Sequence, residues 1–333
     1  ALLLNEEVPE EFAHLPPNFT IRRIPQRRLW AQTRLAQELR RQKADVFFAP
    51  ANVIPFMHPP VCVTTVHDVA FHFFPECYSP LVRWYLELTT RFALRTARKI
   101  IAVSQATKED LVRVYGAEPS QIEVIHSGLP GTETVLPTPD RVASTLDHYG
   151  ITPPYLLFLG RLETKKNVAR IVQAFFKLKE RGFPHQLVLG GTPGVGFEEV
   201  ARLINTSPYG IDIVLTGYVG EEKADLYAGA EAFVFPSLYE GFGFPVLEAA
   251  TYGVPVVTSR TSSLAEVAGK AALLVDPLDV DDIAEAIRRL IEEGQLRSRL
   301  IQLGRDRLPE FDWDIAASRV VKVLEAAAGQ PMG

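Results

Sequence analysis

Sulfur is nearly missing from this sequence. Cys62 and Cys77 are its only cysteines, and it has two methionines. That excludes a disulfide framework and a cysteine-rich zinc site, and both thiols read as inert. The seven histidines never recur at three- or four-residue spacing, so no metal centre is expected. No G-x-S-x-G elbow marks a serine hydrolase. No G-x-G-x-x-G and no glycine-rich loop ending in Gly-Lys-Ser/Thr marks a dinucleotide or P-loop site. Long apolar runs are absent, and no stretch approaches the roughly 18 residues of a spanning helix. Ala1-Leu2-Leu3-Leu4 is too short for a signal peptide and lacks a basic flank. A cytoplasmic compartment fits these readings.

What is present is ordinary in bulk and uneven in detail. A length of 333 residues predicts two domains. Apolar content of 47% and charged content of 23% suit a globular chain. Residues 20–100 carry 13 Lys/Arg against 5 Asp/Glu, whereas 151–333 carry 19 against 24. The densest cationic stretch, 20–43, holds Arg22, Arg23, Arg27, Arg28, Arg34, Arg40, Arg41 and Lys43. It reads either as a solvated helix face or as a peripheral contact with an anionic membrane. No nucleic-acid-binding module accompanies the arginines, so nucleic acid is not an expected partner.

Short β-rich apolar runs alternate with amphipathic stretches. Strands are predicted at 46–49, 61–66, 100–103 and 122–125, with helices at 34–42, 79–98 and 107–115. The segment 127–154 breaks the rhythm with Gly128, Pro130, Gly131, Pro137, Pro139, Pro153 and Pro154. It reads as a connection with one short helix near 141–148. The pattern then restarts. Strands are predicted at 155–159, 186–189, 212–215, 232–235, 255–258 and 271–275. Helices are predicted at 168–181, 198–204, 222–228, 245–252, 280–293 and 296–307. Ser263-Leu264-Ala265-Glu266 fits a capping box. A last helix, 313–328, has no strand after it. This is the βαβ rhythm of parallel sheets covered on both faces. Two such units leave a cleft, and ligands bind beyond the carboxyl ends of the strands.

The chemistry-bearing residues fall at those ends. Glu240-Gly241-Phe242-Gly243-Phe244-Pro245-Val246-Leu247-Glu248 pairs two carboxylates across a glycine-rich turn. Pro245 suits the first helical turn, and Gly253 suits the left-handed position after it. A helix N-terminus offers amides and a positive dipole end to an anion, and carboxylates accept from hydroxyls. The pattern therefore suits a molecule with phosphates flanked by hydroxyl-rich groups. Gly160-Arg161 and Lys166 follow the strand at 155–159, and both cations suit a diphosphate. His67-Asp68 ends the strand at 61–66. It reads either as an Asx turn or as a hydroxyl-binding and proton-moving pair. Ser104 reads as an N-cap that could also face the cleft. Gly190–Gly196 and Gly217-Tyr218-Val219 follow two further strands, the first permitting close backbone approach of a ligand.

Together these stretches resemble glycosyltransferase family 4, retaining enzymes of the GT-B fold. The resemblance covers nearly the whole chain and is carried by His67-Asp68, Val103-Ser104, Gly160-Arg161 with Lys166, Gly217-Tyr218-Val219 and the 240–248 stretch. It implies an α/β architecture of two Rossmann-like, doubly wound domains facing a central cleft. Residues 1–133 would form an acceptor domain, 134–154 a linker and 155–311 a donor domain. Residues 312–333 would form a helix crossing back to the first domain. The resemblance implies that Arg161 and Lys166 hold the donor diphosphate and that Glu240 and His67 contact the transferred sugar. It further implies that Glu248 binds the ribose, that amides of Gly241, Phe242, Gly243 and Phe244 meet the sugar, and that those of Val246 and Leu247 meet the phosphate. Gly160, Tyr218 and Val219 would complete the donor site, with Asp68 and Ser104 on the acceptor side.

No metal and no cofactor is implied; a nucleotide-diphosphate sugar is the co-substrate and a glycan or glycolipid the acceptor. The expected activity is transfer of a mannose- or glucose-type hexose with retention, in polysaccharide or glycolipid synthesis. A UDP-sugar epimerase of the same architecture and a non-catalytic nucleotide-sugar or glycan-binding protein are the alternatives. Family members open with a strand, a glycine-rich loop and a helix, for which this sequence has no counterpart; Ala1–Asn5 resembles their second strand.

Overall fold

A computed structural model describes residues 1–9, 12, 15–27, 29–42, 44–129 and 136–329. Arg28, Lys43, Pro130 and Gly131 lie outside the described residues. The N-terminal half holds β1 (Leu2–Leu4), β2 (Ile21–Arg23), α1 (Ala36–Arg41), β3 (Phe47–Ala49), β4 (Cys62–Val66), α2 (Ala70–Phe73), α3 (Pro80–Thr96), β5 (Lys99–Ala102), α4 (Gln105–Tyr115) and β6 (Ile122–Val124). Strands β3-β4-β5-β6 form a parallel sheet in that order. Strands β1 and β2 form a separate parallel pair. Leu3 and Ile24 pack with Leu35, Leu39 and Phe47. Strand β2 was not expected; it is Ile-Arg-Arg, with both arginines exposed, so no apolar alternation announces it. Burial pushes the Cys62 thiol up to about 12 and also raises that of Cys77.

The C-terminal half continues with α5 (Pro139–Tyr149), β7 (Tyr155–Leu159), α6 (Val168–Glu180), β8 (Gln186–Gly190), α7 (Phe197–Thr206), β9 (Ile213–Gly217), α8 (Lys223–Gly229), β10 (Ala232–Phe235), α9 (Phe244–Thr251), β11 (Val256–Ser259), α10 (Ser262–Ala268), β12 (Ala272–Val275), α11 (Val280–Glu292), α12 (Gly294–Arg307) and α13 (Trp313–Gly329). Its six strands are parallel, in the order β12-β11-β10-β7-β8-β9. All residues of β7 and β10 are buried, as central strands covered on both faces require. Helix α6 buries Val168, Ile171, Val172, Phe175 and Leu178, one stripe at helical spacing. The order reverses between β7 and β10, and a ligand crevice opens at such a switch point.

Two expectations change. Helix α5 is not free linker: Leu146 and Ile151 join the C-terminal core. Thr145 Oγ1 and Arg141 Nε donate to Asp225 Oδ2 on α8 at 2.9 and 3.1 Å. The capping box at Ser263–Glu266 does not form, because Thr261 is the N-cap of α10 and makes no side-chain bond. Glu266 instead reaches the other half, where both carboxylate oxygens accept from the Gln105 amide at 2.9 Å. Its Oε1 also lies 2.6 Å from His126 Nε2. Helix α13 crosses back as expected; Ala316, Val320, Val323, Leu324 and Ala327 pack with Val63 and Ile101 of the N-terminal sheet. No described helix is long and apolar enough to cross a membrane.

Candidate active site

The loops leaving β7 and β10 start from adjacent strand ends and are tied together. Asn167 sits between the β7 loop and α6 at φ +64°, a left-handed conformation that asparagine tolerates better than most residues. Its buried amide donates to the carbonyls of Pro236 and Pro277 at 2.9 and 2.6 Å. Leu238 N–H donates to Lys165 O at 2.9 Å. The result is contact between two predicted site residues: Lys166 Nζ lies 2.6 Å from Glu240 Oε1, and both side chains are largely buried. Lys166 Nζ also lies 5.4 Å from the Phe235 ring centroid. Arg161, after Gly160 at φ +155°, is 63% exposed with Nε 3.8 Å from Glu163 Oε2. A planar donor fork thus stands in solvent on the same loop as an anchored ammonium.

The glycines after β8 pack against the loop that carries Arg161. A Cβ on Gly191 would lie 1.8 Å from Gly160 O, and one on Gly196 would lie 2.1 Å from Thr164 Oγ1. Leu162 N–H donates to Thr192 O at 2.9 Å and Thr164 N–H to Val195 O at 2.8 Å. Close approach here is to the arginine-bearing loop. Tyr218 is 78% exposed, and Val219 borders Gly190.

Glu240 and Glu248 bracket Gly243, which caps α9 at φ +138°. Glu248 Oε1 lies 2.6 Å from Lys223 Nζ, and its Oε2 accepts from Tyr227 OH at 3.1 Å. Burial, then Glu248, pushes the Tyr227 hydroxyl well up, so it stays a donor. In the first turn of α9, Val246 N–H donates to Gly243 O at 3.1 Å. Phe242 is buried and stacks edge-on against Phe311, whereas Phe244 is 37% exposed. Leu247 is buried.

The other half meets this turn directly. A Cβ on Gly241 would lie 2.0 Å from His67 O and 2.7 Å from Asp68 Cβ. Only glycine allows that approach, which brings His67-Asp68 up to the residue after Glu240. His67 is exposed, its Nε2 2.8 Å from Pro50 O. Asp68 Oδ1 accepts from Ala70 N–H at 2.9 Å, which is the Asx turn. Ser104 is fully buried; it caps α4 by accepting from Thr107 N–H at 3.1 Å and donates to Gly241 O at 2.7 Å. It joins the halves and is closed to an acceptor.

Sequence reasoning missed several contributors. Tyr239, beside Glu240, is buried in the N-terminal core with Val66, Val69 and Phe71, and its hydroxyl donates to Asp110 Oδ2 at 2.9 Å. The Tyr78 hydroxyl is pushed up to about 12 by burial and by carboxylates including Asp68, Glu163 and Glu240, which keeps it protonated. Lys223 also went unnoticed, and Asn167 was given no role. Only their spatial partners reveal them.

Known proteins resemble this chain in sequence and in fold. Residues 149–307 match the family described as glycosyl transferases group 1, and residues 4–130 match glycosyltransferase family 4. The chain is 31% identical over 306 residues to O-antigen chain mannosyltransferase B of Escherichia coli, across 90% of this chain and 77% of that protein. It is 34% identical over 258 residues to an MMP alpha-(1->4)-mannosyltransferase of Mycolicibacterium hassiacum, across 74% of this chain and 59% of that one. Among solved structures, WaaG, a glycosyltransferase involved in lipopolysaccharide biosynthesis, aligns with TM-score 0.68 at 17% identity, over 93% of this chain and 88% of that one. Anabaena HepE in complex with UDP-glucose aligns with TM-score 0.70 at 18% identity, over 92% and 86%. Two facing parallel α/β halves, the Lys166–Glu240 pair at the switch point and these matches lead to one conclusion: the chain belongs to glycosyltransferase family 4 and has the GT-B fold.

Proposed function

We propose that this glycosyltransferase moves a mannose-type hexose from a nucleotide-diphosphate sugar to a hydroxyl of a glycan or glycolipid, with retention at the anomeric carbon. The observation that carries the reading is the 2.6 Å contact of Lys166 with Glu240 at the β7–β10 switch point. It joins the cation loop to the acid loop where a diphosphate and its sugar would lie side by side. The mannosyltransferase relatives support the choice of sugar.

In this reading Arg161 and Lys166 hold the diphosphate, Glu240 and His67 contact the sugar and Glu248 takes the ribose. Gly160, Tyr218 and Val219 line the donor, and the acceptor approaches from the Asp68 side. The anomeric carbon–oxygen bond to the β-phosphate breaks and a bond to the acceptor oxygen forms. The departing phosphate oxygen takes the acceptor proton. Cations set at that oxygen stabilise the charge it gains, and closure of the halves excludes water. We further propose that the enzyme works at the inner face of an anionic membrane, held peripherally by the basic stretch 20–43 and the neighbouring α3.

A thermal-shift panel of GDP-mannose, UDP-glucose and ADP-glucose tests the donor. One donor at about 100 times its dissociation constant should stabilise the protein by about 2.7 kcal/mol, and release of its nucleotide diphosphate should depend on added acceptor. Conversion of a donor to an isomer without acceptor would refute transfer.

A further inference from the structure

Strand β11 and the start of α10 present four hydroxyls in a row to the segment that carries Glu240. Thr258 Oγ1 donates to Phe235 O at 2.8 Å and Ser259 Oγ to Ser237 O at 2.5 Å. Ser262 Oγ accepts from the Glu240 N–H at 3.0 Å and also donates to the Glu240 carbonyl. Ser263 Oγ lies 2.8 Å from that same carbonyl and within reach of the carbonyl of Phe242. The main chain of Glu240 is thus gripped at both its polar groups, while its carboxylate meets Lys166.

The backbone of Ser262 is strained. Its φ is +58°, and it is one of three described non-glycine residues at positive φ, with Leu29 and Asn167. Two of those three, Ser262 and Asn167, hold the segment after β10, one through Glu240 and the other through Pro236. Left-handed residues with a Cβ persist where their surroundings over-determine them, commonly at functional sites. Glycine would adopt this φ without cost but would carry no hydroxyl. Nor is the hydroxyl explained by capping, since the N-cap of α10 is Thr261.

We propose that Ser262 is the positioning residue for Glu240, its hydroxyl fixing the Glu240 backbone so that the carboxylate is preset against Lys166 and the transferred sugar. This rests on the reading of Glu240 as the sugar-contacting acid. Ser263 braces the same carbonyl from the second side.

Two substitutions separate the hydroxyl from the backbone. Ser262→Ala removes the hydroxyl and keeps the strain; Ser262→Gly removes both. Calorimetry with GDP and GDP-mannose, and with UDP and UDP-glucose, gives the affinity added by the sugar. Both variants should lose about tenfold of that sugar increment, the worth of one well-placed hydrogen bond, with nucleoside diphosphate affinity unchanged within about twofold. Ser262→Gly should melt no lower than Ser262→Ala. Equal losses for the sugar nucleotide and the bare diphosphate would mean a merely structural role and overturn the proposal. Glu240→Gln is the control: if it leaves the sugar increment intact, the reading of Glu240 fails. If it alone lowers the increment, the role of Ser262 fails. A second measurement needs no ligand. Amide exchange over 238–243 should quicken about tenfold in both variants, with β7 and β8 unchanged. Unaltered exchange there overturns the positioning role.

Discussion

Arg161 and Lys166 are both cations of one loop, yet their surroundings differ, and so should the consequences of removing them. Arg161 is 63% exposed, so its truncation should alter stability by less than about 0.5 kcal/mol. Lys166 neutralises a largely buried carboxylate at 2.6 Å, so its loss leaves Glu240 unpaired and lowers stability as well. For transfer, each should cost about 2.7–4 kcal/mol of transition-state stabilisation, as loss of one preset donor typically does. Steady-state kinetics and thermal melts of Arg161→Ala and Lys166→Ala check this. Arg161→Ala with wild-type turnover would remove that residue from the diphosphate site.

At the scale of elements, the link between α10 and α4 carries a pH dependence. Burial raises the Glu266 carboxyl, but hydrogen bonds from His126 and from the amides of Gln105 and Ala106 outweigh it, and the net shift is downward from 4.5. A carboxyl lowered in the folded state contributes stability above about pH 4.5 that is lost as pH falls through its lower folded value. Glu266 serves as an N-cap supplied from the opposite half, and losing a cap costs about 1 kcal/mol. Glu266→Gln should therefore be about 1 kcal/mol less stable at pH 7, with the gap to wild type closing as pH falls below 4.5 through the lowered folded value. Urea melts at the two pH values measure it; a constant gap would show that the charge is irrelevant.

The same helix shows what a sequence can and cannot disclose. Strands such as Tyr-Leu-Leu-Phe-Leu at 155–159 were legible because burial on both faces demands a continuous apolar run. The helices were legible from their stripes, and α9 from Pro245 and Gly253. The capping box at 263–266 misled because the true partners of those side chains lie far off in sequence: Ser263 meets Glu240 and Phe242, and Glu266 meets Gln105. Spacing encodes local bonds only. For the same reason the strand-end positions of Lys166 and Glu240 were legible, while the roles of Asn167, Ser262 and Tyr239, which fix where the two meet, were not.

On the scale of the whole molecule, one side of the N-terminal half differs from the rest. Helix α3 exposes Leu81 at 75%, Trp84 at 61% and Leu88 at 38%, positions i, i+3 and i+7 on one face. Arg83, Arg91 and Arg95 of the same helix are exposed, as are Arg27, Arg34, Arg40 and Arg41 of the basic stretch. Gln32 links the two regions, with Nε2 3.4 Å from Tyr85 OH and Oε1 accepting from Phe56 N–H at 2.8 Å. Phe56 and Met57 are 45% and 46% exposed. Apolar side chains interleaved with arginines suit the headgroup boundary of an anionic bilayer, where each cation near the surface contributes about 1 kcal/mol. The C-terminal half, with more acids than bases, would face away. Vesicles of phosphatidylcholine with about a third phosphatidylglycerol should therefore bind the protein at low salt, and 0.5 M salt should weaken binding at least tenfold through screening. Replacing Leu81 and Trp84 together by serine removes apolar area already in water. It should leave the melting temperature unchanged and still lower vesicle affinity about tenfold or more. Equal binding to purely zwitterionic vesicles would remove the electrostatic part of this reading. Full binding by the double variant would remove α3 from it.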